Sequence, residues 1–192
     1  MPELSNPILK GAHAIFNNIT RNVVLYSSDM IPIDHQGRIF SNELKEALGI
    51  PIEIKNFYEY TISLGSDYSR LKMLTIISAC SDVEFLLKHF IENYYDITEN
   101  KTKNFYQRLD DVNRNVFIKK GVDLNNEVFY KKIKLAFQVR HISIHNMGFI
   151  DEGFNQKTGL NLPINSKFEI NNIFINESFD AIEELILFLD TL

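Results

Sequence analysis

The side chains best suited to chemistry crowd into residues 138–148, Q-V-R-H-I-S-I-H-N-M-G. Histidine exchanges a proton near neutral pH, so His141 and His145 are candidate acids or bases. Arg140 adds a permanent cation whose planar fork can grip an anion at two points. On a helix turning about 100° per residue, Lys134, Gln138, His141 and His145 share one polar face. Arg140 falls elsewhere, on the side of Ile133, Phe137 and Ile144, which is otherwise apolar. A buried and unpaired guanidinium is costly, so Arg140 needs an acidic partner, a cleft or a bound anion. Residues 126–147 therefore line a polar cleft or a polar interface. Two other readings of the histidines stay open. Spacing of four residues can bind zinc from one helix face, although no Glu follows the first His and no third ligand cluster is evident. Both rings also suit ordinary hydrogen bonding inside a helical bundle.

The elements that position these residues follow from periodicity and punctuation. Pro7 opens a helix through about Tyr26, with Ile8, Ile15, Ile19 and Val23 near helical spacing. Residues 30–40 read as loop. Ser41 caps a short helix, N-E-L-K-E-A-L, that Gly49 and Pro51 stop. Ser66 or Asp67 caps a long helix to about Tyr95, carrying Leu71, Leu74, Val83, Leu86 and Phe90. A second helix spans 103–119, and a third spans 126–147, capped by Asn125 or Asn126 and ended at Gly148. Gly153, Gly159 and Pro163 mark a loop, residues 167–175 form a weak strand candidate, and Ser178 to Leu192 closes as an amphipathic helix. The class is all-α, an antiparallel helical bundle. Residues 1–60 read as an N-terminal extension of helix and loop packed on a helical domain over 61–192.

A chain of 192 residues with 45% hydrophobic and 23% charged residues buries a core and is not disordered. Its longest apolar runs, such as residues 74–80, are too short to span a bilayer, and its first residues lack a secretory pattern. With a single cysteine as well, the sequence implies a cytoplasmic protein without membrane partners. Cys80 lies in an apolar run and reads as a core residue. The net charge of −5 argues against a general nucleic-acid coat. Residues 101–140, however, hold ten Lys or Arg against four acids, while both flanks are acidic. Such a segment can focus an anion locally, or simply form a solvated helix face.

R-H-I-S-I-H resembles the signature of the HEPN superfamily, in which Arg, a polar residue and three further residues precede His. The following N-M-G-F-I-D-E is similar to the Asn, Gly and acidic pattern of bacterial members. Upstream, S-A-C-S-D-V-E-F-L-L-K-H-F-I (78–91) resembles the other core helix, with Glu84 matching the acidic residue that supports the motif. The likeness covers roughly residues 66–150 and not the first sixty. It implies a metal-independent endoribonuclease in which the RNA's own 2′-hydroxyl attacks phosphorus, with no cofactor. Arg140 would then clamp phosphate and His145 act as general base or acid. His141, Glu84 and Asn146 would support them, and Lys134 and Gln138 would contact substrate. Positions 140 and 145 diverge by about 140° on a helix. The family pairs two motifs across a two-fold axis, which implies a homodimer through the Arg140/His145 face. Its context implies a bacterial toxin or phage-defence effector, with RNA as substrate and an antitoxin or defence protein as partner. The alternative is a noncatalytic HEPN-like interaction module or partner subunit.

Overall fold

A computed structural model describes residues 4–17, 41–56, 59, 69–95 and 104–192. Among these residues the α-helices with described bounds are, in chain order, α1 Pro7–Ile15, α2 Asn42–Leu48, α3 Ser69–Tyr94, α4 Leu109–Val112, α5 Val128–His145, α6 Glu152–Thr158 and α7 Asn172–Leu189. Among the described residues there is no strand, and an isolated antiparallel bridge joins Phe149 and Lys167. The all-helical bundle expected from the sequence is thus present. The expected strand over 167–175 is not: one bridging residue is followed by α7, whose start Asn171 caps through a bond from the Phe174 amide.

The core forms where α1, α3, α5 and α7 meet. Tyr130, Phe16, Phe90, Phe117 and Phe179 are its largest fully buried side chains. Burying one such side chain contributes roughly 1.5–3 kcal/mol. Helices α3 and α5 run antiparallel, since a methyl built on Gly148, just past α5, would lie 2.8 Å from the terminal carbon of Met73, near the start of α3. Phe129 at the start of α5 meets Phe188 at the end of α7, their ring centroids 5.5 Å apart. Helix α1 starts at Pro7 as expected, and its Leu9 and Phe16 enter the same core. The expected continuation to Tyr26, the loop over 30–40, the Ser66/Asp67 cap and the boundary at 60–61 lie outside the described residues.

Local chemistry explains where helices begin and end. Ser41 accepts from the Leu44 amide and Gly49 closes α2 in the left-handed region, as its sequence implies. Past α5, Asn146 and Gly148 both donate their amides to the Ile142 carbonyl. Gly148 has φ +85°, which suits glycine. The continuous helix expected over 103–119 is instead broken. A 3-10 turn (Phe105–Gln107) leads into α4, then a π turn (Asn113–Phe117) and a 3-10 turn (Ile118–Lys120). Buried Asn113 explains the widening, because its side chain donates to Asp123 and accepts from the Leu124 amide. Asn125 and Asn126 do not cap α5. Glu127 stands at that position without a side-chain bond, and Asp123 caps the 3-10 turn before it. The expected loop after Gly153 contains α6, capped by Asp151 and ended by Gly159 at φ +71°.

Candidate functional site

The outer face of α5 forms one wall of an open groove of 990 Å³. Helix α5 can serve both core and groove because its opposite flank is wedged between α3 and α7, burying Ile133, Ala136, Val139 and Ile142. The segment around α4 forms the facing wall through Gln107, Arg108, Asp110 and Asp111, and α6 closes one end with Lys157 and Thr158. A hydrogen bond of 2.7 Å from the buried Tyr130 hydroxyl to the Leu109 carbonyl ties the facing wall to α5.

Lys134, Gln138, Arg140, His141 and His145 all line this groove. The groove therefore gathers both the polar stripe and the off-face arginine. The wide separation of Arg140 and His145 around the helix does not put them in different cavities, because the groove wraps a broad sector of α5. Arg140 pairs with Glu84 of α3, their side chains 15% and 19% exposed. Its guanidinium also lies 5.8 Å from the centroid of Phe137. The Arg140 Nε is buried with no hydrogen-bond partner among the described residues. The expected closeness of Glu84 and Arg140 is therefore present, and it resolves how an arginine sits on an apolar face.

His141 and His145 are both exposed, with ring centroids 4.8 Å apart. Partial burial, followed by the charges of Lys157 and His145, lowers the His141 pKa from its ordinary value, while Asp151 opposes the shift. Asn146 is the C-cap of α5 and donates from its side chain to the Phe149 carbonyl at 2.7 Å, so it shapes the helix end. Lys134 is engaged by Asp110 and lies 3.4 Å from the Asn125 side-chain oxygen. Cys80 is buried in α3, where desolvation pushes its thiol up to about 12, in keeping with a core residue.

Sequence reading missed Arg108 and Lys157. Arg108 sat within the basic segment without any clue to its wall, whereas Asp151 with acidic Glu152 directly after it was a start signal for the helix that carries Lys157. Among the described residues, no three His, Cys, Asp or Glu side chains group closely enough to hold a metal ion. No described helix is long and apolar enough to cross a membrane. No protein-family model, curated protein or solved structure matches the chain.

Proposed function

We propose that this protein is a metal-independent endoribonuclease of the HEPN type, with Arg140 and His145 as its catalytic residues. The observation that carries the reading is the placement of both in one groove, with Arg140 held by Glu84, Lys134 paired with Asp110, and Lys131 and Lys157 without an ion pair among the described residues. Such a groove attracts a polyanion even though the whole chain is acidic. RNA brings its own nucleophile, the 2′-hydroxyl. The protein then needs a proton-transfer group and a fixed cation where charge grows on the phosphoryl oxygens. His145 supplies the first and Arg140 the second, with Glu84 orienting the guanidinium. The chain works as a homodimer through this face, a reading supported by the exposed apolar side chains of Ile144, Met147 and Phe149 beside the groove. Its cellular role is that of a toxin or defence effector restrained by a partner protein.

Purified protein should cleave RNA, but not DNA, in the presence of EDTA, leaving 2′,3′-cyclic phosphate or 3′-phosphate ends. His145→Ala or Arg140→Ala should reduce the rate by roughly 10²–10⁴-fold while the fold persists. Arg140→Lys should rescue little, because a point charge cannot reproduce a two-pronged contact. Activity abolished by EDTA and restored by magnesium or zinc would overturn this mechanism. Cleavage surviving in His145→Ala would place the chemistry elsewhere.

A further inference from the structure

Cleavage by an internal 2′-hydroxyl requires two proton transfers. One removes the hydroxyl proton and the other protonates the departing 5′-oxygen, so a site with one histidine must use it twice or borrow a second. This groove holds two. His141 and His145 lie one turn apart on α5, both exposed, with ring centroids separated by 4.8 Å. Neither ring is committed to the core, and both line the groove that Arg140 also lines.

We infer that His141 and His145 of one protomer form an acid–base pair, His141 accepting the 2′-hydroxyl proton and His145 donating to the leaving 5′-oxygen. The inference rests on the ribonuclease reading above. The bond between O2′ and phosphorus forms as the bond between phosphorus and O5′ breaks. His141 ends as imidazolium, His145 ends neutral, and the products are a 2′,3′-cyclic phosphate and a free 5′-hydroxyl. Exchange with water restores both rings, and no redox step is involved.

The surrounding charges favour this division of roles. Lys157 on α6 faces His141 and makes no ion pair among the described residues, so its full charge opposes protonation of that ring. Asp151, at the start of α6, acts in the opposite sense and its side chain is occupied in capping the helix. Across the groove, Arg108 pairs with Asp111, and Asp110 pairs with Lys134 of α5. Arg140 is balanced by Glu84 of α3. These pairs largely cancel, so burial first, and then the charges of Lys157 and His145, bias His141 towards the neutral, proton-accepting form, while Lys131 lies further along the same helix. The shift of His141 below the ordinary histidine value keeps its ring neutral and able to accept a proton at neutral pH.

Two substrates separate the roles: a ribodinucleotide, whose leaving group needs a proton, and a ribonucleoside 3′-(4-nitrophenyl phosphate), whose leaving group does not. His141→Ala should slow both by about 10²–10⁴-fold, whereas His145→Ala should slow the dinucleotide to that extent and the activated ester by less than about tenfold. The low-pH limb of the rate profile should move to higher pH in Lys157→Gln. Mixing His141→Ala with His145→Ala protein should restore no activity, because neither protomer then holds both rings. Recovery on mixing would show the pair to be divided between protomers and would overturn the inference. So would cleavage of RNA by His141→Ala within about threefold of wild type, or equal losses on the activated ester in both variants. Both rings are exposed, so circular dichroism should show unchanged helicity in each variant. Wild-type protein inert towards RNA would sink the ribonuclease reading and this pairing with it, whereas active wild type with an insensitive His141 would sink the pairing alone.

Discussion

Replacing Glu84 by glutamine removes the charge that balances Arg140 while nearly preserving shape. The guanidinium then remains on the α3–α5 seam with its Nε already lacking a partner among the described residues. Removing one member of a fully buried ion pair costs about 3–5 kcal/mol. Here the two side chains keep 15% and 19% of their exposure, so water reaches both and reduces the loss to about 2–3 kcal/mol. For a chain of this size that corresponds to a fall in Tm of roughly 4–12 °C. Thermal and urea unfolding of Glu84→Gln, Arg140→Met and the double variant form the appropriate cycle. The double variant should lose less than the sum of the single ones by at least about 1 kcal/mol, because it leaves no uncompensated charge. A Tm loss below 2 °C in Glu84→Gln, or additivity within about 0.5 kcal/mol, would refute the reasoning.

Gly148→Ala should destabilise the fold by roughly 1–3 kcal/mol in urea unfolding, because φ is +85° and the new methyl would press on the flexible end of Met73; an unchanged midpoint would contradict this. The backbone amides of Ser5 and Asn6 hold the Asp190 carboxyl below its ordinary value. A depressed carboxyl contributes stability above its unfolded pKa of about 4 and loses it as pH falls through the folded value. Hydrogen-exchange protection of α1, corrected for intrinsic rates, should therefore drop in acid below about pH 4, and Asp190→Asn should remove that dependence.

The parts of the site legible in the sequence were those carried by one helix. The run from Ile133 to His145 has a clear apolar period, and Arg140 stands out against it because burial of charge is so unfavourable. Glu84, 56 residues away, was singled out by its match to the acidic residue of the HEPN-like helix, since Asp82 and Lys88 beside it make its charge less conspicuous on periodicity alone. What was hidden depended on contacts between distant residues. Nothing local in residues 103–119 breaks their helical period; the π turn arises because Asn113 is drawn to Asp123 and Leu124. Helix α6 was obscured by Gly153 in its first turn, where a weak helix former is tolerated because Phe154 is buried against Phe168. The β-branched and aromatic residues of 167–175 suggested a strand, yet they split between a single bridge and the start of α7. The groove itself needed the facing wall, which no periodicity in α5 could announce.

The hydrogen bonds from Ser5 to Asp190 join residues 185 positions apart. Contacts of such span close a very long loop and form late, after the more local α3–α5 packing has been established. During synthesis the apolar side of α1, with Leu9 and Phe16, waits for α7 to complete its seat. At ribosomal speeds of about 5–20 residues per second, that interval is roughly 10–35 s. Through it, α1 can be covered only on the side that packs against α3, and the remaining apolar surface is a target for chaperones at the ribosome and a point from which aggregation can start.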